Sequence, residues 1–188
     1  MIRSFLAIEL PATIQTKIGK IEADLKSASA DVRWVSSEKM HLTLKFFGNI
    51  EESRIDSIFE AIKGPVRGAK PFQISVRGTG AFPSLKGPRV IWMGLVDREG
   101  VLIPLQKEVE VSLEKVGFER EDRPFRAHLT LGRVRSNRGK EELIRKVEKY
   151  REEEIGEFQV EKIILFKSDL APSGPIYTLL KEIKLGEG

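Results

Sequence analysis

The chain has 188 residues, 40% of them hydrophobic, and a formal net charge of +4, which is typical of one globular domain. Cysteine is absent, which excludes disulfides, thiolate nucleophiles and cysteine-ligated zinc. Two histidines are too few for a histidine-rich metal site. No stretch approaches the ~20 apolar residues of a membrane helix, so we expect a cytoplasmic protein that contacts no membrane.

Two weaker expectations also follow from composition. Asn occurs twice and Gln four times beside abundant Lys, Glu and Arg. This composition is typical of heat-adapted proteins, so we expect a thermophilic source. The 32 basic and 28 acidic residues give a mild positive bias, which allows a polyanionic ligand but does not require one.

Apolar periodicity predicts alternating strands and helices in chain order. The first half contains a strand at 2–10, a helix with Ile14, Ile18, Ile21 and Leu25 on one face, strands at 32–35 and 41–47, and a helix with Ile55, Ile58, Phe59 and Ile62 on one face. The second contains strands at 72–80 and 89–95, a helix through Leu102, Leu105, Val109, Leu113 and Val116, a strand AHLTLGRV, a charged helix at about 138–152, and a hairpin of 158–170 and 176–185 around APSGP.

This element order predicts an α+β fold. Each half of the chain carries a strand followed by a helix, so we expect a duplicated, two-lobed arrangement. Antiparallel sheets would line a central cleft, with helices on the outside. We therefore interpret residues 1–188 as a single domain made of two pseudo-symmetric lobes.

The tetrad His-Leu-Thr-Leu occurs twice, in HLTLKFFG (41–48) and in HLTLGRV (128–134), and these tetrads contain both histidines of the chain. A single His-x-Thr on a strand is usually ordinary surface, but two copies that use every histidine favour a shared function. Because side chains alternate along a strand, one face of each tetrad is polar and the other leucine. Strict alternation groups His41, Thr43, Lys45 and Phe47, and likewise Arg126, His128 and Thr130.

Two opposed His-x-Thr faces predict acid–base chemistry. Imidazole titrates near pH 6.5, so one ring can accept a proton while the other donates one. Threonine hydroxyls and cations would stabilise charge at the reacting centre, which suits phosphoryl transfer. No carboxylate cluster indicates a divalent metal, so we expect metal-independent chemistry without a cofactor.

The flanking residues extend the pattern over essentially the whole chain. The opening FLAIELP, the central GAFPS and PRVIW, and FRAHLTLGR resemble the 2H phosphoesterase superfamily, in particular its RNA 2′,3′-cyclic phosphodiesterase branch, also called 2′-5′ RNA ligases. The resemblance implies that a terminal 2′,3′-cyclic phosphate is opened to a 2′-phosphate. Some members join RNA ends through a 2′-5′ linkage instead.

The resemblance also assigns roles. It implies that His41 and His128 form the acid–base pair and that Thr43 and Thr130 bind the phosphate. By analogy His128 activates water and His41 protonates the leaving 3′-oxygen, although the near-symmetry of the motifs makes this assignment reversible. Arg126 resembles the family's basic residue before the second motif.

Further candidates have equally good structural explanations. Strict alternation places Arg133 on the leucine face, where a salt bridge would explain it, but a twist at Gly132 would return it to the histidine face. Lys45 is either a phosphate contact or a solvated lysine. Phe47 is either a stacking platform for a base or a core aromatic.

Phe82 and Trp92 are interpreted as core residues, with a place in the lining of the nucleotide site as the less favoured alternative. The expected partner is RNA with a 2′,3′-cyclic phosphate terminus, tRNA fragments included, bound by a monomer. Three alternatives stay open at the level of sequence. They are 2′-5′ ligation as the physiological activity, non-catalytic binding of RNA ends, and hydrolysis of a small metabolite such as ADP-ribose 1″,2″-cyclic phosphate.

Overall fold

The computed structural model describes residues 1–172 and 174–187. Its helices are α1 (Ala12–Lys26), α2 (Arg54–Gly68), α3 (Leu102–Glu114) and α4 (Lys140–Lys149), with a short 3₁₀ helix at Ser37–Lys39. Its strands are β1 (Ile2–Glu9), β2 (Val32–Trp34), β3 (His41–Ile50), β4 (Phe72–Phe82), β5 (Val90–Val96), β6 (His128–Val134), β7 (Glu154–Val160), β8 (Lys162–Ala171) and β9 (Gly174–Lys184).

The strands form two antiparallel sheets, which confirms the predicted α+β class. The first sheet has the order β3-β1-β8-β9 and the second the order β2-β6-β5-β4-β7. The sheets do not correspond to halves of the chain, because the first joins strands from both ends and the second combines β2 with the middle. The predicted two-lobed arrangement is confirmed, and each sheet takes strands from both halves of the chain.

The chain crosses between the sheets at Glu161. The segment 158–170 was predicted to be one strand, but β7 lies in the second sheet and β8 in the first. The apolar pattern runs on through the crossing, so periodicity could not reveal it. The predicted hairpin of β8 and β9 is present, with Lys162 opposite Lys184. Its expected turn APSGP includes Ser173, which lies outside the described residues.

The leucine faces of both tetrads are anchored in one continuous core. Leu42, Leu44, Leu129 and Leu131 are each at most 3% exposed and belong to the same hydrophobic cluster. Burying a leucine side chain contributes roughly 1.5–3 kcal/mol, so these residues hold both tetrads firmly. The amphipathic helices complete this core with their apolar faces. None of the helices in the described ranges is long and apolar enough to cross a membrane.

The first sheet is apolar on its other face as well. Phe5, Ala7, Ile164 and Phe166 form a small separate cluster, with Tyr177 packed against it. Because the neighbouring residues Leu6 and Ile8 face the main core, these aromatic rings lie on the opposite face. That face also carries the histidine of the first tetrad, whose ring stacks on Phe5.

Candidate active site

The two tetrads lie where the sheets meet. β3 is an edge strand of the first sheet, and it contacts β6 of the second. Since the leucines of both strands share one core, the histidine and threonine of each strand are presented on the side away from that core. The fold therefore brings the two polar faces to one seam between the sheets.

Both imidazole rings are held by the same hydrogen bond. The Nδ1 atom of His41 lies 3.0 Å from the carbonyl oxygen of Lys39, and the Nδ1 atom of His128 lies 2.7 Å from the carbonyl oxygen of Arg126. A carbonyl oxygen can only accept, so each Nδ1 must carry the hydrogen and donate it. Each ring is therefore left with Nε2 for proton exchange, which is the atom an acid–base catalyst needs.

His41 lies in an aromatic environment. Its ring stacks on Phe5 with 4.5 Å between centroids, and Tyr177 approaches edge-on at 5.1 Å. Burial lowers the pKa of His41 from 6.5 to about 4, against the opposing effect of its hydrogen bond to Lys39. Beside the ring lies a cavity of about 380 Å³, whose polar lining includes Glu9 and Glu38.

His128 has aromatic neighbours of its own. The ring of Phe82 stands perpendicular to it at 5.1 Å, and Trp92 lies 5.3 Å beyond Phe82. The Arg126 guanidinium is 5.8 Å from the centroid of Phe82, within cation–π range. A Cβ at Gly80 would overlap the indole, so that glycine makes room for Trp92.

The interpretation of Phe82 and Trp92 as core is wrong. Trp92 is directly opposite Thr130 in the sheet, and residues opposite each other share a face. The buried neighbours Ile91 and Met93 take the core side of β5 instead. Alternation within RVIWMGL was the signal that could have placed Trp92 on the histidine face.

A β-bulge interrupts the first tetrad. Ala7 is opposite Thr43 and Leu6 is opposite Lys45, so Leu44 is the extra residue. Lys45 therefore lies on the same side of the sheet as Leu6, which faces the core. Lys45 is 4% exposed, and its Nζ atom lies 2.8 Å from a carboxylate oxygen of Glu110. The prediction that Lys45 lies on the His41 face is therefore wrong, because the bulge reverses alternation after Thr43.

The same bulge exchanges the faces of the two phenylalanines after Lys45, and a second irregularity follows them. Phe5 is opposite Phe46, and Phe47 is the extra residue before the pair of Ser4 and Gly48. Phe46 therefore lies on the cleft face, 57% exposed and 6.1 Å from Phe5. Phe47 instead packs against Phe118 at 5.1 Å in the core, so its predicted place on the His41 face is wrong. Sequence reasoning missed Phe46.

The second tetrad carries a bulge at the same position. Thr130 is opposite Trp92 and Gly132 is opposite Ile91, so Leu131 is the extra residue. Arg133 is then opposite Val90 and returns to the His128 face, where it is exposed. The bulge at Leu131 is thus the departure from alternation that was considered at Gly132, and it puts Arg133 on the histidine face.

The two bulges determine which of the predicted site residues lie at the seam. His41 and Thr43 remain on one side of the seam, and His128, Thr130 and Arg133 on the other. The exposed Arg126 precedes β6 and reaches the ring of Phe82. Over residues 1–172 and 174–187 neither tetrad threonine hydroxyl has a hydrogen-bond partner in the protein, which leaves both for a ligand. The same residues contain no group of three or more His, Cys, Asp or Glu side chains that could hold a metal ion.

The family model described as LigT like Phosphoesterase matches residues 8–92 and 96–177. The chain belongs to this family. A relative from Methanothermobacter thermautotrophicus is 36% identical over 98% of this chain and 99% of its own length. Another, from Archaeoglobus fulgidus, is 40% identical over 95% of this chain and 98% of its own length. Both relatives are named RNA 2′,3′-cyclic phosphodiesterase.

Solved structures agree with the fold of this LigT-like phosphoesterase. A crystal structure of a Thermus thermophilus protein matches with a TM-score of 0.80 and 25% identity, over 98% of each chain. E. coli LigT complexed with 3′-AMP matches with a TM-score of 0.76 and 25% identity, also over 98% of each chain. The resemblance seen in the sequence is thereby confirmed at the level of family and fold.

The phosphoesterase presents two Nε2 atoms, two free hydroxyls and two arginines around one seam. Imidazoles can move protons, hydroxyls can donate to phosphate oxygens, and guanidinium groups can offset anionic charge. Aromatic rings on both sheets, including Phe46 and Trp92, provide surfaces on which a base can stack. This combination suits displacement at phosphorus in a nucleotide.

Proposed function

We propose that the protein hydrolyses RNA 2′,3′-cyclic phosphate ends to 2′-phosphates, with His41 and His128 as the acid–base pair. The observation that carries the proposal is the matched anchoring of both rings through Nδ1, which leaves two Nε2 atoms at one seam. The names of the full-length relatives in two archaea support the substrate class.

The reaction requires two proton transfers on opposite sides of phosphorus. The Nε2 atom of one histidine takes a proton from water as the water oxygen bonds to phosphorus. The bond from phosphorus to the 3′-oxygen breaks, and the Nε2–H of the other histidine protonates that oxygen. The product carries a 2′-phosphate and a 3′-hydroxyl, and exchange with solvent restores both rings.

The remaining groups would stabilise charge on the phosphoryl oxygens. Thr43 and Thr130 would each donate a hydrogen bond to a non-bridging oxygen, and Arg133 and Arg126 would offset the negative charge. Positioning and charge stabilisation supply most of the catalysis in phosphoryl transfer. These protein groups provide both, so the proposed reaction requires no metal.

A short RNA ending in a 2′,3′-cyclic phosphate tests the proposal when it is incubated with the protein in EDTA. We expect ³¹P NMR to show conversion to the 2′-phosphate, without a 3′-phosphate product. His41→Ala and His128→Ala should each lose about 10²–10⁴-fold in rate and still bind the 2′-phosphate product. The control Asn137→Ala lies in the exposed turn before α4 and should keep full activity.

Three results would count against this function. Comparable turnover in both histidine variants would remove the acid–base pair. Activity that requires added Mg²⁺ would contradict the metal-independent route. Binding of the cyclic end without turnover by the wild type would favour an RNA-end binder.

A further inference from the structure

The two bulges each leave a buried carbonyl oxygen that needs a hydrogen-bond donor. In each tetrad the extra residue is the leucine three positions after the histidine, Leu44 in β3 and Leu131 in β6. Both leucines are buried, so their backbone oxygens require a partner. The backbone N–H of Val35, which follows β2, donates to the Leu131 oxygen at 2.9 Å. The neighbouring chain segment therefore holds the second bulge.

The first bulge is held by a side chain instead. β3 is the edge strand of the first sheet and pairs with β1 on one side. The donor comes from α3, where the Nε2 atom of Gln106 lies 3.3 Å from the carbonyl oxygen of Leu44. Gln106 is 5% exposed, so this contact is buried. A side-chain amide thus takes the part that the Val35 N–H takes at the second tetrad.

A buried ion pair fixes the amide of Gln106. Its Nε2 atom also lies 3.2 Å from Oε1 of Glu110, one helical turn later, and Oε2 of Glu110 accepts a hydrogen bond from Lys45 at 2.8 Å. The carbonyl and the carboxylate can only accept, so both must face the NH₂ group of the amide. This network ties Leu44 and Lys45, the two residues directly after Thr43, to α3.

We propose that Gln106 is a positioning residue, which holds the first tetrad in its catalytic geometry through the carbonyl oxygen of Leu44. The inference rests on the proposed function and deepens it. Thr43 immediately precedes Leu44, and the bulge lets His41 and Thr43 face the seam while Lys45 faces the core. Without its donor, the Leu44 carbonyl would turn towards water and displace the adjacent threonine. A displacement of about 1 Å can cost about 10²-fold in rate.

The test replaces Gln106 with methionine, which has a similar shape and no N–H donor. On a short RNA with a 2′,3′-cyclic phosphate end, we expect kcat to fall about tenfold and KM to change less than about twofold, because the geometry matters most in the transition state. Gln106→Ala is a second variant. It opens space for a water that can bond to Leu44 and Glu110, but this water does not replace a fixed donor. Its kcat should therefore fall as well.

Thr79→Val is the matched control. The hydroxyl of Thr79, which is 4% exposed in β4, donates to the carbonyl oxygen of Val147 at 2.6 Å. Val147 belongs to α4, a helix that carries no residue of the proposed site. Thr79→Val and Gln106→Met each remove a buried hydrogen bond from a side chain to a backbone carbonyl, so the melting temperature should fall in both. Only the Gln106 variants should lose kcat.

Two kinetic results would overturn the inference. One is a kcat for Gln106→Met no lower than that of Thr79→Val, and the other is a loss confined to KM. If Gln106→Met fails to fold, an unchanged kcat in Gln106→Ala would overturn it equally. None of these results affects the proposed function, which depends on turnover by the wild type.

If the wild type did not turn over the cyclic end, NMR spectra of the free protein would decide. The ring signals of His41 and the methyl signal of Thr43 should move in Gln106→Met. The corresponding signals of His128 and Thr130 should stay in place, because the second bulge has its own donor. Movement in both tetrads, or in neither, would overturn the positioning role.

Discussion

Replacing Phe5 with alanine removes the ring on which His41 stacks. The two rings are 4.5 Å apart and inclined by 22°, and Phe5 is 3% exposed. Its loss would let water reach the imidazole through the cavity beside His41. Because burial is the main cause of the lowered pKa of His41, water should raise that pKa from about 4 towards 6.5.

The size of the effect follows from the two pKa values. The difference between 6.5 and about 4 corresponds to roughly 3 kcal/mol in favour of the neutral ring, at ~1.4 kcal/mol per pH unit. At pH 7 only about one His41 ring in a thousand would be protonated in the free protein. Phenylalanine-to-alanine changes in a core cost about 3–5 kcal/mol, so circular dichroism must first show that the variant is folded.

The assay is an NMR titration of the ring Cε1–H signals. The chain has two histidines and therefore two such signals, which the His128→Ala variant assigns. We expect a midpoint near pH 4 for His41 in the wild type and a higher one in Phe5→Ala. Phe158→Ala is the matched control, since Phe158 is similarly buried but belongs to the main core and to a strand of the second sheet. A wild-type midpoint above about 6, or no rise in Phe5→Ala, would refute the reasoning.

The same variant distinguishes the roles of the two histidines. If His41 is the base, raising its pKa moves the acidic limb of kcat/KM to higher pH and leaves the rate above that limb unchanged. If His41 is the acid, the correctly protonated fraction grows and the rate at pH 7 rises. The near-symmetry of the two tetrads leaves both assignments open, and the direction of the change in the pH profile decides between them.

Four further outcomes are expected. Thr130→Val should lower kcat about tenfold or more through loss of a hydrogen bond to a charged oxygen, while Thr178→Val on exposed β9 should not, as steady-state kinetics would show. Lys45→Met should lower the free energy of unfolding by about 3–5 kcal/mol in denaturant titrations, because it leaves Glu110 buried and unpaired. Adding Glu110→Leu should restore much of that lost free energy. Asp24, whose pKa is lowered mainly by hydrogen bonds from Lys146, Tyr150 and Lys149, stabilises the fold above its ordinary pKa of 3.8. Asp24→Asn should therefore lower the melting temperature at pH 7, and the difference should close as the pH falls further below 3.8. The wild type should melt well above about 50 °C, as expected of a heat-adapted protein.

The elements of this fold were predictable because their signals are local. Period-two and helical apolar patterns located the main strands and helices, and the leucines of both tetrads lie in the core as alternation required. The assignment of strands to sheets was not predictable in the same way. One residue, Glu161, separates two strands that belong to different sheets, and no local pattern marks such a crossing.

The residues around the tetrads show where strict alternation stops being reliable. Each bulge adds one residue after the threonine and so exchanges the two faces. Lys45 moved into the core, while Phe46 and Arg133 moved to the histidine side. In the sequence, only Gly132 indicates a bulge, since a glycine inside a strand often marks one. Nothing comparable precedes Lys45, so its burial against Glu110 required the structure.

In the proposed reaction, the matched bulges would let two identical tetrads serve one asymmetric substrate. In both strands, the Nδ1 atom of the histidine donates a hydrogen bond to the carbonyl oxygen two residues earlier in the chain. In both strands, the bulge also places the third residue after the threonine on the histidine face. On one strand that residue is Phe46, a surface for stacking a base, and on the other it is Arg133, a cation for phosphate. Displacement at phosphorus needs two groups that can transfer protons. Substrate recognition, in contrast, must place the nucleobase on one side of the site and the phosphate on the other. Repeating the tetrad with a different residue after each bulge meets both requirements with one local structure.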